Sequence, residues 1–204
     1  MRRPTSGTSI RPCREGPRGG LVWIGNWGDG ERSEEIESLL LRPARDAGLA
    51  LDIHGVRYPE EALAKLAEYG ARFRGWLPNA GAPAVFARHL ATVHVPRRFY
   101  VTMLPGIPTI RVFEALACGI PLVSAPWQDS ENLFRPGEDF LTATDGAEMT
   151  RHLRALRQDA DLRAELAARG LATIRARHSC AHRMRELLAI LAELRPQPMM
   201  ENAA

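Results

Sequence analysis

The sequence predicts an α/β domain of Rossmann type, with a parallel sheet and a helical C-terminal region. Two observations support this fold class. Short apolar runs alternate with helical segments of about ten residues, which is the pattern of βαβ units. The 204-residue length suits one ordinary domain, and 45% hydrophobic with 25% charged residues is a globular composition. We expect this domain over residues 21–194, after a disordered leader at 1–20 and before a tail at 195–204.

Composition excludes several function classes and favours the cytoplasm. The Arg-, Pro- and Gly-rich leader lacks the apolar core of a secretory signal, and no run of about 18 apolar residues predicts a membrane span. The arginines are scattered, usually near Asp or Glu, which argues against nucleic-acid binding. Cys13, Cys118 and Cys180 have neither disulfide nor zinc spacing.

The elements of the first half follow from apolar runs and their turn signals. Residues 21–24 predict a strand that leads into a Gly-rich turn at 25–30, and Ser33 is suited to cap the next helix. Pro43 is expected to kink or end that helix. The remaining predictions are a strand at 49–54, a helix opened by Pro59 with Ala62, Leu63 and Leu66 inward, and a short strand at 72–74.

The second half predicts three more strands and a helical end. Asp145 and Glu148 form a variant of the capping box at the start of that helical end. Breaks are expected near Asp159 and Ser179. The predicted segments are a helix at 83–90, a buried strand at 91–95, a helix at 109–118, a strand at 120–125, a last strand at 139–142 and helices up to 194.

The first candidate site is the Gly-rich turn with Gly25, Asn26, Trp27 and Gly28. Glycine lets a backbone approach phosphate, and the N-terminus of the following helix favours an anion. The turn lacks the GxGxxG pattern, which argues against an NAD-dependent enzyme. A tight turn without a ligand is an equal alternative.

The second candidate site lies before and within the predicted helix at 109–118. Gly106 and Pro108 lead to Thr109 near the N-cap, where free amides are suited to bind a diphosphate. Arg111 would add a bidentate cation. Glu114, one turn further, would accept from two ribose hydroxyls, with a solvated helix residue as the alternative.

Further candidates follow the predicted strands at 91–95 and 120–125. Arg97 and Arg98 would meet the diphosphate or an acceptor, or else are ordinary surface arginines. His94 is interpreted as a packed strand residue. Trp127 would either stack on a base or cover the sheet edge, and packing is favoured.

Two possible metal motifs are rejected. Asp159 and Asp161 have DxD spacing, but Asp at a break between helices is a normal N-cap. His178 and His182, with Cys180, lack an evident fourth zinc ligand. No metal is expected.

The segment PTIRVFEALACGIPLVSAPW, residues 108–127, resembles the donor-binding motif of group-1 glycosyltransferases with the GT-B fold. It looks closest to the CgeB-like, spore-maturation-protein branch. The resemblance extends over residues 21–194 through GNWGD, DIHGVRYP, GWLPN and FRPGEDFL.

The resemblance implies roles for particular residues. Glu114 matches the glutamate that holds the nucleotide ribose, and residues 106–109 match the loop that faces the phosphates and the donor sugar. Residues 25–28 match the turn that approaches the diphosphate. Many relatives carry a second glutamate eight positions before the first, and Gly106 occupies that position here. No obligatory metal is implied.

The resemblance also limits what this chain would do alone. A GT-B enzyme has two Rossmann-like domains with the cleft between them, and this chain has room for only the C-terminal one. The acceptor domain would be missing or supplied separately. We therefore expect the donor-binding half of a glycosyltransferase that binds a nucleoside-diphosphate sugar. The alternatives are a non-catalytic nucleotide-sugar-binding module and a domain fragment without function by itself.

Overall fold

The computed structural model describes residues 19–28, 30–104 and 106–194. Residues 1–18 of the expected leader, the expected tail at 195–204, Asp29 and Pro105 lie outside these ranges. The six strands are β1 (Leu21–Ile24), β2 (Leu51–His54), β3 (Arg72–Gly75), β4 (Ala91–His94), β5 (Leu122–Ser124) and β6 (Leu141–Thr142). They form one parallel sheet in the order β3-β2-β1-β4-β5-β6, so the predicted Rossmann-like α/β fold is confirmed.

Nine α-helices surround or follow this sheet in the described ranges, besides a 3-10 turn at Asn79–Gly81. They are α1 (Ser33–Ile36), α2 (Arg42–Asp46), α3 (Glu60–Glu68), α4 (Ala82–Phe86), α5 (Arg98–Thr102), α6 (Ile110–Ala117), α7 (Gly146–Gln158), α8 (Ala160–Arg177) and α9 (Cys180–Glu193). A π-helical turn, Glu37–Leu41, joins α1 to α2. No helix within the described ranges is long and apolar enough to cross a bilayer.

Alternation along the strands builds a hydrophobic core on each side of the sheet. Leu21 and Trp23 of β1 are buried in one cluster with Ile53 of β2, whereas Val22 is buried in the other. Because both faces of a parallel sheet are covered, its strands are apolar on both sides. The second cluster contains Leu116, which fixes α6 against the sheet.

Three local expectations differ from the structure. Arg32 occupies the N-cap of α1, and the helix begins at Ser33. Pro43 does not end the helix, because it lies in the first turn of α2, where its missing N–H is tolerated next to the π-helical turn. Leu63 was predicted to point inward, but it is an exposed residue of α3, whose buried face is formed by Ala62 and Leu66.

The breaks and caps expected in the helical end are confirmed. Asp145 Oδ1 accepts from the Glu148 amide at 2.8 Å, and Asp159 Oδ1 accepts from the Leu162 amide at 2.8 Å. The side chain of Ser179 caps α9. These side chains satisfy amides that the first turn of each helix leaves without a partner.

The strand order places a crevice between β1 and β4. The chain moves outward from β1 to β2 and β3, and then crosses back to β4 on the other side of β1. The loops that follow β1 and β4 therefore leave the sheet in opposite directions. Ligands of open parallel sheets bind at such a switch point, beyond the carboxyl ends of the strands.

Candidate functional site

A cavity of about 540 Å³ lies at the carboxyl ends of β1 and β4. Three segments line it: the turn after β1, the loop after β4 and the N-terminus of α6. The polar and charged lining side chains are Asn26, Arg32, Thr92, His94, Arg97, Tyr100, Thr109 and Arg111. No aspartate or glutamate of the described ranges lines the cavity, so its charge is positive.

Arg32 is the most buried cation of this cavity. Its two terminal nitrogens donate to the carbonyls of Val95, at 3.0 Å, and Asn26, at 2.5 Å. Its Nε is buried without a hydrogen-bond partner in the described part of the chain. Burial lowers the pKa of this guanidinium to about 10, with a further contribution from Arg97, and leaves it charged at neutral pH. A buried cation held by carbonyls is suited to an anionic ligand.

The Gly-rich turn makes room for this arginine. Gly28 has a φ of 101°, and a Cβ at this position would lie 2.9 Å from Arg32 Cγ. A side chain at residue 28 would therefore both strain the backbone and displace Arg32. The guanidinium also lies over the Trp23 ring, 5.0 Å from its centroid.

The other two arginines of the cavity have carboxylate partners. Arg97 Nη1 lies 3.6 Å from Glu31 Oε2, and Arg111 forms an ion pair with Glu114 three residues along α6. Both arginines are about one-third exposed. Such pairs contribute little in water, so an anionic ligand can compete for these cations.

The N-terminus of α6 reaches the same cavity. Thr109 has the extended backbone of an N-cap, but no side chain caps α6 in the described ranges. The Thr109 hydroxyl is instead 2.8 Å from His94 Nε2. The first amides of α6, which belong to the cavity-lining Ile110 and Arg111, are therefore open to an anion at the positive end of the helix.

His94 lies at the end of β4 as a buried, neutral residue. Its Nδ1 is 2.8 Å from Ser124 Oγ of β5, and its ring meets Trp127 edge-on with 5.9 Å between centroids. Burial lowers its pKa to about 3, with a smaller contribution from the positive charge of Arg32. His94 is thus packed and also lines the cavity.

The structure brings together part of the predicted donor-binding set. The lining includes Gly25, Asn26, Arg97, Pro108, Thr109 and Arg111. Glu114 does not line the cavity, but it forms an ion pair with Arg111, which does. Trp27 is buried in the core beside Tyr58, and Arg98 is bound to Glu35 on α1.

Gly106, where a glutamate was expected from the resemblance, is placed outside the main cavity. It lines a smaller neighbouring pocket with Trp127 and Gln128. Its φ is 92°, and a Cβ would lie 2.2 Å from Ser130 Oγ. A glutamate here would therefore strain the backbone and require Ser130 to move.

Trp127 packs instead of lining the main cavity. Its ring stacks on Phe140 at 5.1 Å between centroids. Asp159 of the rejected DxD motif caps α8, and His178 Nε2 binds the Leu133 carbonyl at 2.9 Å. No group of three His, Cys, Asp or Glu side chains in the described ranges is arranged to hold a metal.

Sequence reasoning missed Arg32, although the sequence contains a signal for it. Arg32 directly precedes a helix whose first turn carries Glu34 and Glu35. A cation is disfavoured at the positive end of a helix unless an anion is bound there. Its burial could not be predicted, because Arg32 reaches Val95 only after β4 has joined β1.

Comparisons with solved structures show one half of the GT-B fold. The T4 phage β-glucosyltransferase in complex with UDP and Mn²⁺ matches with a TM-score of 0.69 at 14% identity, over 91% of this chain and 50% of that one. A mutant of S. aureus TarM with fondaparinux, α-GlcNAc-glycerol and UDP matches with 0.67 at 12%, over 90% and 38%. Anabaena HepE with UDP and glucose matches with 0.64 at 16%, over 86% and 49%. The chain thus spans half or less of the length of these proteins.

The family assignment comes from sequence. No curated protein sequence shows significant similarity to the chain. The family described as glycosyl transferase-like matches residues 32–189, which include Arg32, the loop after β4 and all of α6. The chain therefore belongs to the glycosyl transferase-like family.

Proposed function

We propose that this chain is the donor-binding half of a glycosyltransferase of the CgeB-like branch, acting in the cytoplasm. Its cavity would bind the diphosphate of a nucleoside-diphosphate sugar. One observation carries the proposal: Arg32, Arg97, Arg111 and the N-terminus of α6 surround a single cavity whose described lining contains no carboxylate. The three solved structures named above hold UDP, which supports a uridine nucleotide as the first ligand to test.

The cations would act on the leaving group of glycosyl transfer. As the sugar–phosphate bond breaks, negative charge grows on the departing diphosphate. Fixed donors that are already aimed at that charge lower the barrier most in a site that excludes water. The half-buried Arg32 is suited to this task, because its guanidinium is held by two carbonyls before any ligand arrives.

Glu114 is proposed to hold the ribose. It lies one turn into α6, beside the first amides, and its side chain is about one-quarter exposed. A phosphate that binds Arg111 would weaken the ion pair between Arg111 and Glu114. The carboxylate would then be able to accept hydrogen bonds from the two ribose hydroxyls.

The acceptor would be supplied by a separate domain or chain docked over the cavity mouth. Three residues of the cavity lining expose large apolar side chains: Tyr100, Ile107 and Ile110. Exposed apolar side chains beside a ligand cavity are typical of an interaction surface.

The alternative is a nucleotide-sugar-binding module without catalysis. The absence of a carboxylate from the described cavity lining favours it, because no aspartate or glutamate there can serve as a base. Release of free sugar from the donor, assayed alone and with candidate acceptor domains, separates the two functions.

Isothermal titration calorimetry with UDP, GDP and their sugar conjugates tests the proposal. We expect one nucleotide to bind, and Glu114→Gln to weaken it about tenfold through lost hydrogen bonds to a charged group. Glu186→Gln is the matched control, because Glu186 forms the same type of pair with Arg183 on α9. The proposal is wrong if no nucleoside diphosphate binds, and the ribose assignment is wrong if both variants bind like the wild type.

The same titration tests the expected independence from metal. Arginines and helix amides would supply the positive charge, so the affinity for UDP should agree within about twofold in EDTA and in Mn²⁺. A strict requirement for Mn²⁺ would contradict this expectation.

A further inference from the structure

Three side chains from separate elements form a hydrogen-bonded chain under the cavity. Thr109 Oγ1 at the start of α6, His94 at the end of β4 and Ser124 Oγ of β5 are joined by two contacts of 2.8 Å. His94 is only 5% exposed and Ser124 is fully buried. A buried chain of this kind fixes the orientation of its members, because breaking it would leave a polar group without a partner.

The direction of each hydrogen bond follows from Ser124. Its hydroxyl donates to the Ala125 carbonyl at 2.7 Å, so its oxygen can only accept from His94 Nδ1–H. His94 Nε2 then carries no proton and accepts from the Thr109 hydroxyl. The low pKa of His94 agrees with this neutral ring.

Because the Thr109 hydroxyl binds His94, it does not cap the N-terminus of α6. Threonine is a favourable N-cap, and Asp145, Asp159 and Ser179 all cap their helices through the side chain. Thr109 has the N-cap backbone, but its hydroxyl binds His94 instead of an amide of α6. An N-cap side chain accepts from the second or third amide of its helix, and the second amide of α6 belongs to the cavity-lining Arg111.

We propose that His94 is a positioning residue for the diphosphate site, because it holds the Thr109 hydroxyl away from the N-terminus of α6. The Arg111 amide is thereby kept free for the phosphates of the donor. The inference rests on the proposed function, since it assigns the part that His94 plays in that same site.

Replacement of His94 by phenylalanine removes both ring nitrogens and keeps a planar ring. The released Thr109 hydroxyl should turn to cap α6 and compete with the phosphates. We expect UDP and inorganic pyrophosphate to bind about fivefold more weakly, because the phosphates would have to displace the threonine cap from the helix. Uridine, which has no phosphate, should bind with unchanged affinity.

A double-mutant cycle separates this role from a merely structural one. In a Thr109→Val background no hydroxyl can cap α6, so His94→Phe should then cost no UDP affinity. His94→Gln should bind UDP like the wild type, because its amide oxygen can accept from Thr109. This variant keeps the inference testable if His94→Phe does not fold. Equal losses of UDP and uridine affinity, or an equal loss in both backgrounds, would overturn the inference.

A ligand-free measurement completes the test. Nitrogen-15 NMR of the imidazole should show the neutral, Nδ1-protonated ring between pH 5 and pH 8; a charged or Nε2-protonated ring would overturn the inference whatever binds. If the wild type binds neither UDP nor pyrophosphate, the proposed function and this inference are both wrong. If it binds UDP and only the cycle fails, the inference alone is wrong.

Discussion

At the scale of single residues, Arg32 and His94 show what the sequence could and could not reveal. His94 was predicted to be packed, and it is buried. Its partners could not be predicted, because Ser124 reaches it only when β4 pairs with β5, and Thr109 reaches it only from the start of α6 in the folded chain. Arg32 was missed for the same reason, because its partners are carbonyls brought together by the fold.

The burial of His94 predicts a pH-dependent stability. The unfolded chain binds a proton on this ring below about pH 6.5, whereas the folded protein, with a pKa of about 3, does not. The stabilisation is therefore complete above pH 6.5 and is lost as the pH falls towards 3.

Urea unfolding at pH 7 and pH 5 measures this effect. Between these values the wild type should lose about 2 kcal/mol more free energy of unfolding than His94→Gln. Other titrating groups are common to both proteins and cancel in the difference. An equal loss in the two proteins would show that the ring is not kept neutral by the fold.

At the scale of elements, apolar runs predicted the strands with buried side chains, such as β1, β2 and β4, and apolar periodicity predicted the helical end. It failed where a local conformation decides the outcome. Pro43 was expected to kink or end its helix; it does not end it, because the π-helical turn before α2 accommodates the proline. Gly106 was named as part of the phosphate loop and as the position of a missing glutamate, but its positive φ and its contact with Ser130 could not be predicted from the sequence.

The loop before α6 predicts a difference between two glycines. Gly106 and Gly137 have φ values of 92° and 86°, but a Cβ would meet Ser130 Oγ only at Gly106, since nothing lies within 4 Å at Gly137. Gly137→Ala should lower the free energy of unfolding by about 1 kcal/mol, the cost of a left-handed alanine.

Gly106→Ala should cost about 1 kcal/mol more than Gly137→Ala, because Ser130 must also move. Urea unfolding of the two variants measures the difference. Equal costs would mean that the loop does not hold Gly106 against Ser130 in solution.

At the scale of the whole molecule, the strand order explains why residues far apart in sequence form one site. The turn after β1, the loop after β4 and the start of α6 all meet at the switch point of the sheet. The resemblance found this site from the motif in α6 and from the turn after β1. The sequence could not show which of these residues line the cavity, because that depends on the direction of each side chain. Arg97 and Asn26 line it, whereas their neighbours Arg98 and Trp27 do not.

The central claim is that this cavity binds the diphosphate of a nucleotide sugar. Titration of nitrogen-15-labelled protein with UDP, followed by amide chemical shifts, tests it most directly. We expect saturable shifts that are largest at Gly25, Asn26, Ile110 and Arg111, and much smaller ones at the same residues with uridine. No shift at these amides at about 1 mM UDP, or saturable shifts confined to another surface, would contradict it.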